Sequence, residues 1–262
     1  MQLTWIDLNT WIVQIAGQTV LIDPWLVDPL IFYGQPWLFT AYHVTPPRYS
    51  PETLPPIDLI LISQGLDDHC HRPTLERLDR TIPVLVSPTA EALVRSLSYQ
   101  QVIPLEHAQI WTRNSLKITA VPGAPLQPGQ IENGYLLEDL TAKRSLYYEP
   151  HLFRPEVWTS PLPDRVDVAI APVVGQVFPL MGELIMGPQA ALKLIKRLKP
   201  MLFLPTTVGE VNASGILPRL IRTNGSVSEF KNLLDQEKVP TSLMTLNAGE
   251  TVDASPMLVA AP

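Results

Sequence analysis

The residues best suited to chemistry stand together in the octapeptide Gln64-Gly65-Leu66-Asp67-Asp68-His69-Cys70-His71. It follows the apolar run Ile57-Asp58-Leu59-Ile60-Leu61-Ile62-Ser63, which reads as a buried strand. Carboxylates and imidazoles fixed at a rigid strand end can converge on one ion. Two of the chain's five histidines fall in this turn, and a third, His151, follows Glu149 in Tyr147-Tyr148-Glu149-Pro150-His151 after another strand-like run. The plainer alternative makes Asp68 and His69 a hydrogen-bonded pair that holds the loop without a metal. Cys70 has two readings as well. Flanking histidines favour a reactive thiolate, whereas a small apolar residue in the core needs no such chemistry. His43 and His107, set among apolar or loop residues, read as structural or surface histidines.

The elements that must position these residues are mostly short strands. Residues 2–8, 11–15 and 19–22 read as an antiparallel meander turning at Ala16-Gly17-Gln18. Further strand-like runs lie at 57–63, 83–87, 116–121, 135–137, 145–148, 166–171, 201–204, 242–246 and 250–252. Helical patterns fall at 74–78, 89–96, 188–198 and 226–236. In the last, Ser226 precedes Glu229 at the spacing of a capping box. Strands with helices in both halves predict an α/β chain of two sheets packed face to face with helices outside, folded as a single domain over 1–262. The 28 prolines gather in connections, which predicts long, stiffened loops. The least ordinary of these is 28–49, an insertion crowded with Ile31, Phe32, Tyr33, Trp37, Leu38, Phe39 and Tyr42. It either packs onto the domain or forms an exposed lid, partner site or lipid-contacting patch.

Composition narrows the partners. A net charge of −6 without a Lys/Arg-rich segment argues against nucleic acid. Lys193, Lys196, Arg197 and Lys199 have helical spacing and read as a solvated helix face. Hydrophobic residues make up 46% of the chain, yet no apolar run approaches the ~20 residues of a transmembrane helix. Asp7 within the first apolar stretch and the lack of a cationic leader speak against a signal peptide. The single cysteine rules out an internal disulfide and fits a reducing compartment, so a cytoplasmic location is expected.

The turn at 64–71 resembles the signature His-x-His-x-Asp-His of the metallo-β-lactamase superfamily, aligned without gaps as Gln64-x-Leu66-x-Asp68-His69. Other stretches carry the same resemblance. Residues 11–25, ending in Leu-Ile-Asp-Pro-Trp, look like the family's paired first strands. Pro172-Val-Val-Gly175 with Met186-Gly-Pro-Gln-Ala190 is similar to the loop and helix before its last histidine-bearing strand. Leu246-Asn-Ala-Gly249-Glu250 resembles its C-terminal hairpin. Pro46-Pro47-Arg48-Tyr49 and Leu54-Pro55-Pro56 look closest to the branch of ascorbate-phosphate lactonases and N-acyl-phosphatidylethanolamine phospholipase D. The resemblance implies a four-layer αββα sandwich.

It also implies a metal site from which this chain departs. Pro122-Gly123-Ala124-Pro125 stands where a third histidine is expected, Tyr148-Glu149-Pro150 where a bridging aspartate is expected, and Pro205-Thr206-Thr207 where the last histidine is expected. Only Asp68 and His69 fill their positions, with Glu149 as a stand-in carboxylate. On that fold Asp68, His69, His71, Glu149 and His151 share one rim and are expected to bind a single zinc, manganese or iron ion. Asp67 or Glu149 is then the general base. Gln64, Tyr148 and Thr207, with Trp37 and Phe39 of the insertion, are expected to face the substrate. Two functions follow. One is a metal-dependent hydrolase of an ester, lactone, amide or phosphodiester in a small or lipid-like substrate. The other is a metal-free, non-catalytic descendant that binds a ligand or protein, with the 31–42 loop as a protein or membrane-surface contact.

Overall fold

Short runs of Ile, Leu, Val and Trp, cut by glycine and proline, pair into sheets because each run buries its side chains only against a neighbour. The computed structural model describes residues 1–127, 130–158, 163–179 and 182–258. The chain divides into two units that interleave in sequence. The first takes residues 1–106, 209–220 and 246–252, and the second takes residues 107–208, 221–245 and 253–262.

The first unit is built on a seven-stranded sheet in the order Thr251–Asp253, Gln2–Asp7, Thr10–Ile15, Gln18–Ile22, Leu59–Ile62, Val84–Val86, Val102–Pro104. The three strands from Gln2 to Ile22 form the expected antiparallel meander, and from Gln18–Ile22 onward the pairing is parallel. Parallel strands are covered on both faces, which is why Leu59–Ile62 is apolar without alternation and wholly buried. One face packs Ile6, Ile12, Leu21, Ile60 and Ile62 with Cys70, Leu75 and Val94 of the following turn and helices. The 28–49 stretch, expected as a loop, contains two strands. Leu30–Ile31 and Thr40–His43 pair with each other, and Thr40–His43 pairs with Val211–Ser214. Propensity gave no sign of this because the third strand comes from far along the chain.

The second unit carries its own seven-stranded sheet in the order Ser242–Leu243, Leu202–Thr206, Val168–Pro172, Arg144–Tyr148, Gln130–Asp139, Leu116–Gln127, Ile110–Arg113. Helices Pro188–Leu198 and Val227–Gln236 pack Leu194, Ile195, Leu198, Phe230 and Leu234 with Phe203 and Ala169. Ser226 caps the second helix by accepting from the Glu229 N–H at 3.1 Å, half of the predicted capping box. Among the described residues no helix is long and apolar enough to cross a membrane.

Candidate metal centre

The register of two strands sets up the site. Gln18–Ile22 and Leu59–Ile62 run parallel with Ile22 opposite Leu61, so the chain leaves both strands with Asp23 beside Ser63. Asp23 adopts φ +43°, a conformation that aspartate tolerates better than most residues. Its carboxylate is fully buried and accepts three hydrogen bonds. Oδ1 accepts from the Ser63 N–H at 2.7 Å, while Oδ2 accepts from the Ser63 hydroxyl at 2.5 Å and from His69 Nδ1 at 2.8 Å. The turn after the second strand closes through Leu66, whose carbonyl accepts from the N–H groups of His69 and Cys70, and this brings His69 back over the strand end.

Fixed from behind by Asp23, the imidazole presents Nε2 to a polar group of three side chains. Asp68 Oδ2 lies at 3.3 Å, the Gln64 amide nitrogen at 2.8 Å and the Asn9 amide nitrogen at 3.4 Å. An amide turned about its last bond offers either a donor or an acceptor, so Gln64 can serve either state of the ring. Burial opposes a charged imidazole here, but the carboxylates of Asp68 and Asp23 outweigh it and hold His69 up to about 10. Two carboxylates around one imidazole thus favour a cation at Nε2, whether a proton or a metal. The spacing of these two donors suits a metal. Two bonds of about 2.1 Å at a tetrahedral angle place their ligand atoms roughly 3.4 Å apart, close to the 3.3 Å between Nε2 and Asp68 Oδ2. A carboxylate behind the other ring nitrogen is the usual support of a ligating histidine.

The other residues named from the sequence have these partners. His71 is buried, with Nδ1 2.9 Å from the Thr74 hydroxyl and Nε2 3.3 Å from the Pro29 carbonyl. The Pro29 carbonyl can only accept, so Nε2 carries the proton of the neutral ring and Nδ1 accepts from the Thr74 hydroxyl, whose oxygen accepts from the Leu26 N–H at 2.8 Å. Burial pushes this histidine down to about 4. Asp67 accepts from the Tyr33 N–H at 2.8 Å, and burial raises its carboxyl. Cys70 is fully enclosed, and burial followed by the charges of Asp23 and Asp67 pushes its thiol up, away from a thiolate. Trp37 is exposed and donates to Gln35, while Phe39 stacks on Phe32 at 4.5 Å.

Glu149 and His151 belong to the second unit. Glu149 is fully buried and accepts from the N–H groups of His151 and Leu152 at 3.0 and 3.1 Å and from the Tyr147 hydroxyl at 3.2 Å. Bare backbone at Gly134 and Gly123 makes room for its carboxylate, since a Cβ there would lie 2.8 and 3.1 Å from its oxygens. Tyr148 is fully buried, and the Thr207 hydroxyl donates to the Pro150 carbonyl at 3.4 Å.

Against this geometry, the model of the β-lactamase superfamily domain matches residues 2–207. The chain belongs to the metallo-β-lactamase superfamily. A UPF0173 metal-dependent hydrolase of Thermodesulfovibrio yellowstonii is 24% identical over 281 residues, covering 96% of this chain and 91% of its own. The crystal structure of a possible metal-dependent hydrolase of Veillonella parvula superposes with a TM-score of 0.74 at 16% identity, over 96% of this chain and 98% of that one. The isothiocyanate hydrolase from Delia radicum gut bacteria gives 0.71 at 16% identity, over 97% and 98%. The mixed α/β fold is accordingly the metallo-β-lactamase fold.

Within that superfamily the half of the signature that survives, Asp68-His69, is the half that faces one point, and Gln64 in place of the first histidine still reaches His69 Nε2. Leu66 contributes its backbone carbonyl to the turn. Sequence reasoning missed Asp23 as the partner of His69, reading it only as part of the first strands. The signal was present: two strands end in Ile22-Asp23 and Ile62-Ser63, and parallel neighbours bring such ends together.

Proposed function

We propose that the chain is a metal-dependent hydrolase with an altered site built on His69 and Asp68, acting on an ester, lactone, amide or phosphodiester bond in a small or lipid-like molecule. The observation that carries this reading is the buried relay in which Asp23 holds His69 Nδ1 at 2.8 Å while Nε2 faces Asp68 at 3.3 Å. A divalent ion held there supplies a bound water that ionises near neutral pH and a Lewis acid for the substrate oxygen. Asp23 fixes the ring tautomer so that Nε2 is the ligating atom. Gln64 orients the outer face of the ring or the substrate through its amide. Asp67, beside the ligand pair, is the carboxylate placed to take up a proton.

The test is elemental analysis of protein purified without added metal, set beside hydrolysis of nitrophenyl esters and bis(nitrophenyl) phosphate. Stoichiometric metal is expected in the wild type and its loss in His69→Ala and Asp68→Ala. Asp23→Asn is expected to weaken metal affinity about 10- to 100-fold through the misoriented ring. Metal-free wild-type protein whose stability is unaltered by added zinc, manganese or iron would sink the proposal and favour a binding module.

A further inference from the structure

The second unit contains a cavity of about 720 Å³, within the range of small-molecule sites, whose lining includes none of the candidate metal ligands. Its lining combines buried or half-buried apolar side chains, Ile195, Met201, Val239 and Met257, with the exposed cations Arg165, Lys196, Lys199 and Lys238. Among the described lining residues the sole carboxylate is Glu237, which is engaged by Lys196 at 2.6 Å. A concentration of cations is unexpected on a chain of net charge −6.

The backbone adds a second, independent observation. Lys199 ends helix Pro188–Leu198 at φ +46°, and Lys238 follows helix Val227–Gln236 at φ +51°. Left-handed residues at helix ends are usually glycine, which adopts that conformation without steric cost. A lysine there is strained, because its Cβ crowds the backbone. Both helix ends carry this strain, and both lysines line the same cavity. Cations also complement the negative pole of a helix end, but Lys196 and Arg197 already stand in the last turn of the first helix.

We infer that this cavity binds an amphiphilic anion, with a carboxylate or phosphate head held by Arg165, Lys199 and Lys238 and an apolar body over Ile195, Met201 and Val239. The inference is independent of the metal centre. It is tested on the full chain by titration calorimetry with octanoate, octyl phosphate, inorganic phosphate and octyltrimethylammonium. Octanoate or octyl phosphate is expected to bind at one per chain, the tighter of the two naming the head group. Inorganic phosphate is expected to bind at least tenfold more weakly, and the quaternary ammonium not at all. The double variant Lys199→Asn/Lys238→Asn keeps residues that tolerate the left-handed conformation. It is expected to weaken the anion more than tenfold while retaining its circular dichroism, and Arg165→Gln, away from both helix ends, is expected to weaken it as well. Equal affinity in these variants, equal binding of the cationic amphiphile, or no binding of either anionic amphiphile overturns the inference. A lowered melting temperature with unchanged octanoate affinity assigns the lysines to helix capping alone and overturns it too.

Discussion

Two buried histidines two residues apart in one turn have opposite surroundings. His69 stands between the carboxylates of Asp23 and Asp68, which hold it up to about 10. His71 stands between a hydroxyl and a carbonyl, and burial takes it down to about 4. Both are imidazoles in the same octapeptide, yet His69 attracts a cation at Nε2 and His71 serves as a neutral strut tying Thr74 to Pro29. The number of histidines in a motif therefore says less about a metal site than the charge behind each ring.

The largest effect is expected from Asp23→Ala. It leaves the Ser63 N–H, the Ser63 hydroxyl and His69 Nδ1 without their acceptor in a fully buried place. Breaking a buried pair from one side costs about 3–5 kcal/mol, to be read from urea unfolding at pH 7. A loss below 1 kcal/mol would break the contrast, because it would mean that Asp23 does not govern His69.

The next effect is on acid stability. The unfolded His71 titrates near 6.5 and the folded one near 4, so between these values the unfolded chain binds more protons. Stability from this group is full above pH 6.5 and falls as the pH drops toward 4, by roughly 3 kcal/mol in all. His71→Gln is expected to flatten that limb of a stability–pH curve measured in chelator. His69 carries the opposite sign in the metal-free chain: its contribution is full below pH 6.5 and fades as the pH rises toward 10. An unchanged acid limb in His71→Gln would place the acid sensitivity elsewhere.

The smallest effect concerns the strut itself. Thr74→Val removes the hydroxyl that links His71 Nδ1 to the Leu26 N–H and is expected to cost about 1–3 kcal/mol. Metal content is expected to stay unchanged in elemental analysis, which would sharpen the division between strut and ligand. Metal loss in this variant would instead join the two histidines functionally.

Much of the fold was legible in the chain. The first meander, the buried strand at 59–62 and the helices near 188–198 and 227–236 declare themselves through apolar periodicity and capping, which are local properties. The strands hidden in 28–49 did not, because Thr40–His43 is completed by Val211–Ser214 from far along the chain. The site divides in the same way. Residue types and spacing alone determined that Asp68 and His69 stand at a strand end as candidate ligands. That Asp23 stands behind the His69 ring was decided by the parallel register of Ile22 with Leu61. A carboxylate forty-six residues from His69 in sequence comes within 2.8 Å of it, and electrostatic influence depends on that distance in space and on burial, which the order of residues does not state.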